Sequence, residues 1–574
     1  MLDILKKRIA VAKGDMPADL VVKGGRVVNL FSGRIGKTDV AISDGYIAGL
    51  GEAYKGDEEV DISGRFLVPG FIEGHIHIES TMLVPSELAP SLLMAGTTCI
   101  VADPHEIANV KGVEGISFML DDSRSIPFDI FFTAPSCVPS THLETAGAEL
   151  GIQALTEIKK DSRILGLAEM MNYPGVIGLD KNVLEKISVF DGEVIDGHAP
   201  LLSGRNLQAY VTSGIRSEHE TTLYREALEK LEAGMMIMIR EGSSARNMKA
   251  LIPLVADLGS RRFCLVSDDL HAGDIVKRGH LNYLLKKAVS LGLDPVEALR
   301  MVTLNPAEYF GLRKRGAVAP GFKADLTVLE NLNEFVVKSV FKDGIQVVRD
   351  GQLKGYPEKR QAGGDTEPLN IKGLSSGSFQ IPVQGEKALI IKVIPGQIET
   401  ETILEEVHSE GGMVVSDTDS DTLKLFVIER HNGSGRIGRG LVRGFGLRQG
   451  AIASSVAHDS HNVIALGVDD HDIYRAVEEV RLIGGGLTVA VDGKIVASVP
   501  LTVAGLMSRE PIDRLVGRLK ELKRVVWGLG CSLEEPLGTL SFLALPVIPE
   551  LKLTDMGLVD VMNFRTVPLF PRNR

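Results

Sequence analysis

Residues 68–80, VPGFIEGHIHIES, end an apolar run with two histidines one residue apart, His75 and His77. Alternate side chains of a strand share a face, so these two imidazoles point the same way. Neutral imidazoles converging from one face chelate a divalent transition metal. Polar residues close other apolar runs in the same manner: Asp103 to Glu106 after TTCIVA, Glu169 in ILGLAEM, His198 after EVIDG, His219 in IRSEHE and Asp268 after FCLVS. Any one of them alone is an ordinary polar residue entering a loop. Recurrence after five strands is harder to dismiss, and two imidazoles on one face already offer a chelate for a divalent transition metal.

Such residues meet only if their strands are parallel and end on the same side. Residues 68–315 alternate apolar runs with amphipathic stretches at 86–95, 221–233 and 295–302. Repeated βα units of this size imply a parallel sheet. Eight strand candidates over about 245 residues match a (β/α)8 TIM-type barrel, whose strand ends converge on one mouth. No G-x-G-x-x-G follows a strand to favour an open doubly wound sheet instead.

The flanks of this region have a different texture. Residues 20–51 and 316–351 are strand-rich, with hairpin signals at Asp44-Gly45, Asp343-Gly344 and Asp350-Gly351. The two blocks are expected to pair as a small composite β-sandwich from 1–67 and 316–360, leaving 68–315 as the catalytic barrel. Residues 355–372 are polar and rich in Gly and Pro, the composition of a linker. Strand-like runs (ALIIKVI, TLKLFVIE, LTVAVDGKIVASV) and a helix-like one (HDIYRAVEEVRLI) predict a further α+β domain over 373–574.

At 574 residues the chain must hold several cores. Its net charge of -12, from 63 basic and 75 acidic residues, argues against a nucleic-acid surface and for a small-molecule substrate. The four cysteines form no C-x-x-C, which points to a reducing compartment and excludes the thiolate-zinc nucleobase deaminases. Cys99 and Cys264 lie within apolar runs and are expected to be structural. Near the N-terminus, apolar residues at 2, 5, 9 and 12 are broken by charges, which predicts an amphipathic helix rather than a signal peptide. With no apolar run of membrane-spanning length, a cytoplasmic protein without a membrane partner is expected.

In order along the chain, PGFIEGHIHIES, ADPHEIANV, GLAEMMNYPGV, DGHAP, SEHE and LVSDD resemble the amidohydrolase superfamily, and within it the bacterial and archaeal adenine deaminases. AHDSHNVIALG, from Ala457, is similar to the extra C-terminal domain of that family. The resemblance implies two divalent ions, Mn2+ or Fe2+ with Zn2+ also allowed. His75 and His77 would bind one, His198 and His219 the other, Glu169 would bridge them in place of a modified lysine, and Asp268 would complete the first site. Asp269 competes with Asp268, and the acid directly after the strand is preferred. The implied reaction is deamination of adenine to hypoxanthine and ammonia, a metal-bridging hydroxide attacking C6 while Asp268 takes the proton.

His105 and Glu106 also overlook the mouth, as purine contacts or proton shuttles, although acids are common at helix N-termini for reasons of dipole alone. His271 and His280 are either supports of the site or loop residues. His458, Asp459 and His461 are expected to form a hydrogen-bonded turn, with a metal site or a flap over the mouth as the alternatives. A homo-oligomer is the superfamily expectation. The rival functions are hydrolysis of a cyclic amide or N-acetyl substrate, and a catalytically silent barrel, the latter disfavoured because all six candidate ligands are present.

Overall fold

The computed structural model describes residues 2–243, 245–356 and 367–571. Eight parallel strands succeed one another through the middle of the chain: β1 (Phe71–Ile76), β2 (Thr97–Ala102), β3 (Asp129–Ala134), β4 (Ile164–Met170), β5 (Val194–Gly197), β6 (Ser217–Glu218), β7 (Met236–Arg240) and β8 (Phe263–Val266). β1 to β5 form one sheet and β6 to β8 a second. Backbone and side-chain hydrogen bonds join them at both seams. Arg216 N–H donates to Ile195 O at 3.0 Å and Gly197 N–H to Ser217 Oγ at 3.1 Å, while Asp268 N–H donates to His75 O at 3.0 Å. Every residue of β2 and β7 is buried, as continuous apolar runs covered on both faces require. The arrangement is a TIM-type domain.

The helices expected at 86–95, 221–233 and 295–302 appear as Pro85–Met94, Tyr224–Glu232 and Pro295–Met301. β6 is shorter than IRSEHE suggests. The buried Glu218 carboxylate accepts from Ala199 N–H and Thr221 N–H, both at 2.9 Å, so a side chain replaces what a longer strand would supply.

Strands from the two flanks do pair. A seven-stranded sheet sets Arg26–Val28 and Phe66–Pro69 beside Leu326–Leu329, Val337–Lys342 and Ile345–Arg349. Leu326 lies opposite Pro69 and Leu329 opposite Phe66, antiparallel. A four-stranded sheet from the first flank packs Val22, Val40 and Ile42 against Val328 and Phe341 of the second. Both residues of each Asp-Gly pair have positive φ, the backbone that a two-residue hairpin of type I′ demands.

The N-terminal helix forms over Leu2–Lys13, but its docked face is not the expected one. Leu2, Leu5 and Ile9 are 64%, 54% and 52% exposed, and Val11 alone is buried. Lys7, paired with Asp19 and Asp44, and Arg8, donating to Asp44 O, turn the polar side inward. No described helix is long and apolar enough to cross a membrane.

Beyond the barrel lies an eight-stranded sheet with the helix Asp470–Leu482 on one face. Asp469 caps that helix by accepting from His471 and Asp472 N–H. Along Thr422–Ile428, Phe426 and Ile428 pack with Ile473 and Val477 of the helix, whereas Leu423, Leu425 and Val427 belong to the large core continuous with the barrel. Of the segment expected to be a linker, 357–366 lie outside the described residues. Ile371 is buried in the C-terminal core, so that packing begins before residue 373.

Candidate metal centre

β1 ends by presenting His75 and, just past it, His77, their ring centroids 4.9 Å apart. Asp268 stands two residues beyond β8, with Oδ1 3.4 Å from His75 Nε2 and 3.2 Å from His77 Nε2. Its φ of 56° is left-handed, a conformation Asp tolerates better than most residues. Non-glycine residues held there cluster at functional sites. Asp269 faces elsewhere, accepting from Ser80 Oγ at 2.5 Å.

Glu169 in β4 looks both ways. Its Oε1 is 3.4 Å from His77 Nε2, and its Oε2 is 2.6 Å from His198 Nδ1 and 3.2 Å from His219 Nε2. The rings of His75 and His219 stack at 4.3 Å. All six side chains named as ligands from the sequence therefore converge on one mouth, His198 remaining partly exposed.

Burial alone would raise the Glu169 carboxyl, but His219 and His198 beside it hold it well below the usual carboxylate range. Burial likewise opposes ionisation of Asp268 and is outweighed by the Arg240 guanidinium and by the imidazoles of His75, His77 and His219 beside it. His219, which burial would lower, is pushed up to about 9 by Glu169, Asp268 and Glu220.

The donor set suits divalent cations. His75 Nε2 is buried without a hydrogen-bond partner, a costly state that coordination relieves. His77 Nδ1 lies 3.2 Å from Asp103 O. A carbonyl only accepts, so Nδ1 carries the proton and Nε2 keeps its lone pair for the centre. The ligand atoms of His75, His77 and Asp268 lie within 4.8 Å of one another, as do those of His75, Glu169 and His219.

Several residues around the centre were not anticipated. Arg240, the last residue of β7, donates from Nη1 to Asp268 Oδ2 at 2.8 Å and from Nη2 to Glu220 Oε2 at 2.6 Å. A charged residue ending the apolar strand MIMIR was the available signal. Glu220 itself lies 3.5 Å from His219 Nε2 and 3.7 Å from His198 Nδ1. Glu73, fully buried in β1, accepts from His75 N–H and Ser267 N–H, both at 3.0 Å.

The residues left open by the sequence are also located. His280 is a support: its Nε2 is 3.2 Å from Glu73 Oε2, and its Nδ1 is 2.8 Å from Thr97 Oγ1. His271 precedes the helix Ala272–Arg278, its N–H donating to Ser243 Oγ at 2.8 Å. His105 Nδ1 is 3.1 Å from Asp103 Oδ2 and 3.9 Å from Glu169 Oε1, at the edge of the centre. Glu106, buried in the first turn of the helix His105–Asp122, has Oε1 3.2 Å from His458 Nδ1 and Oε2 3.7 Å from His461 Nε2. The His458 triplet forms the expected turn, with His461 N–H donating to Ala457 O at 2.8 Å, and also meets the barrel residue Glu106.

Residues 66–347 match the amidohydrolase family, and residues 397–565 match the adenine deaminase C-terminal domain. Adenine deaminase of Desulfatibacillum aliphaticivorans is 48% identical over 564 residues, covering 98% of this chain and 99% of that one. Adenine deaminase of Dehalococcoides mccartyi is 47% identical with the same coverage. Adenine deaminase 2 of Carboxydothermus hydrogenoformans is 48% identical over 568 residues, again 98% and 99% of the two chains. With similarity at this level along nearly its whole length and both family regions in order, the chain belongs to the adenine deaminase family of the amidohydrolases.

Proposed function

We propose that this protein hydrolyses adenine to hypoxanthine and ammonia at a pair of divalent cations. The observation that carries the reading is Glu169, whose Oε1 faces His77 while its Oε2 faces His198 and His219. His75, His77 and Asp268 would hold one cation, His198 and His219 the other, and Glu169 both. Imidazole and carboxylate donors suit Mn2+ or Fe2+, with Zn2+ also accommodated. Two such cations supply Lewis acidity, which makes water nucleophilic near neutral pH.

The chain's own side chains do the rest. Arg240 occupies Asp268 Oδ2 and leaves Oδ1 toward the histidines, where Asp268 accepts the proton of the attacking water. Glu106 and His105, at the same mouth, hydrogen-bond the purine or relay the proton taken by Asp268 to the exocyclic amine, which leaves C6 as ammonia. We read the eight strands as one closed (β/α)8 barrel over 68–315, the flanking sheets as a composite sandwich from 1–67 and 316–360, and 373–574 as an α+β domain. Four buried free cysteines fit a reducing cytoplasm.

The test is ammonia release by protein loaded with Mn2+ or Fe2+ from adenine, adenosine, a dihydropyrimidine and an N-acetyl sugar. Adenine is expected to give hypoxanthine and ammonia in equal amounts. Turnover of a cyclic amide or N-acetyl substrate without turnover of adenine would overturn the substrate assignment.

A further inference from the structure

The Glu106 carboxylate is gripped from outside the barrel. Glu106 is 2% exposed, and the groups facing its two oxygens, His458 and His461, come from the turn between the strands Ala451–Ser454 and Val463–Gly467 of the C-terminal sheet. That turn is itself firmly built. Its His461 is left-handed at φ 54°, and its carbonyl accepts from Arg430 Nε. Asn462 Nδ2 donates to Thr145 O of the barrel region at 2.8 Å, and the His458 ring stacks on Phe542 at 4.6 Å. A non-glycine residue held left-handed in a buried turn persists only where the surroundings over-determine it.

Glu106, His458 and His461 lie close enough to hold a cation, but the tautomer of His461 argues otherwise. Ala457 N–H donates to His461 Nδ1 at 3.2 Å, so Nδ1 offers the lone pair and Nε2 carries the proton. The Nε2–H then points at Glu106 Oε2 from 3.7 Å, a distance too long for a hydrogen bond, where a metal ligand would need a free lone pair. His458 approaches the other oxygen through Nδ1. Ser80 Oγ also lies 3.4 Å from Oε1 but gives its single proton to Asp269 Oδ1 at 2.5 Å, so each Glu106 oxygen keeps a lone pair, and adenine carries N–H donors on its exocyclic amine and its imidazole ring.

We infer that His458 and His461 are positioning residues of the deamination, which aim the Glu106 carboxylate at the purine, so that the C-terminal domain completes the catalytic pocket. This rests on the reading of Glu106 as a purine contact. Loss of a hydrogen bond to a charged group in this role should lower kcat/KM by roughly 10- to 100-fold.

The experiment uses the full chain loaded with Mn2+ and compares H458L, H458N and H458Q in adenine turnover and in metal content by elemental analysis. Asn places an amide N–H near the position of Nδ1, whereas Gln reaches the position of Nε2. H458L should keep two metals and lose at least 10-fold in kcat/KM, H458N should recover most of the loss, and H458Q should not. Equal rates for the Asn and Gln variants overturn the inference even where H458L fails to fold. So does unaltered activity in H458L, or a third metal equivalent in the parent that H458L lacks. A parent that leaves adenine untouched sinks the functional reading instead, which separates the two failures.

Discussion

A carboxylate with one oxygen 3.4 Å from His77 and the other 2.6 Å from His198 joins two donor groups that otherwise share no ligand among the proposed set. Glu169→Gln replaces one of those oxygens by an amide nitrogen that cannot ligate. Elemental analysis should then find about half the metal, and turnover should fall by more than the roughly 100-fold that loss of a supporting partner costs. The two neighbouring acids should separate sharply. Asp268→Asn removes a proton acceptor and should cost at least about 100-fold in kcat, whereas Asp269→Asn still accepts from Ser80 and should stay within about 10-fold of the parent. At this scale the sequence was legible wherever chemistry sits at the end of an apolar run, which is why His75, His77, Glu169, His198, His219 and Asp268 stood out. Arg240 and Glu73 stayed hidden because their roles depend on a neighbouring strand: one bonds across from β7 to the residues after β8, the other from β1 to the same place. His458 and Glu106 are separated by about three hundred and fifty residues, and no local pattern joins them.

The seam between β1 and β8 is the element on which the centre depends, because it brings the backbone of His75 against that of Asp268. Glu73 stitches that seam through two backbone N–H groups while His280 lies against it. Glu73→Leu leaves both donors buried without partners, at about 1–3 kcal/mol each. The urea midpoint of the barrel should fall accordingly, and the Mn2+ concentration needed for half-activation should rise, while Glu73→Gln, which keeps one acceptor, should lie between. The apolar runs made the strands readable, and the Asp-Gly pairs made the hairpins readable, since both are local properties. The short β6 was not, because a buried acid 19 residues from Ala199 takes over part of the strand's bonding. Nor was the docked face of the first helix, where Lys7 and Arg8 find acids and a carbonyl and thereby outcompete an apolar stripe.

Across the whole molecule, cations that bind only the folded chain act as a second source of stability. Mn2+ added to chelator-treated protein should raise the thermal midpoint progressively, with about 2.7 kcal/mol gained at one hundred times the dissociation constant, and chelator should reverse the gain. A midpoint indifferent to Mn2+ would show that the ligands are not bridged by metal at all. The C-terminal sheet should respond in step with the barrel, since Leu423, Leu425 and Val427 share a core with it.

The pairing of Phe66–Pro69 with Leu326–Leu329 fixes when this protein can mature. Roughly 250 residues separate the partners, so at ~5–20 residues per second the ribosome needs on the order of 10–50 s to deliver the second after the first. For most of that interval His75 has no Asp268 beside it, and Glu106 waits longer still for His458. The centre and its outer support are therefore synthesised in turn: all six proposed ligands precede Leu326, whereas the turn that carries His458 follows Asp268 by 190 residues.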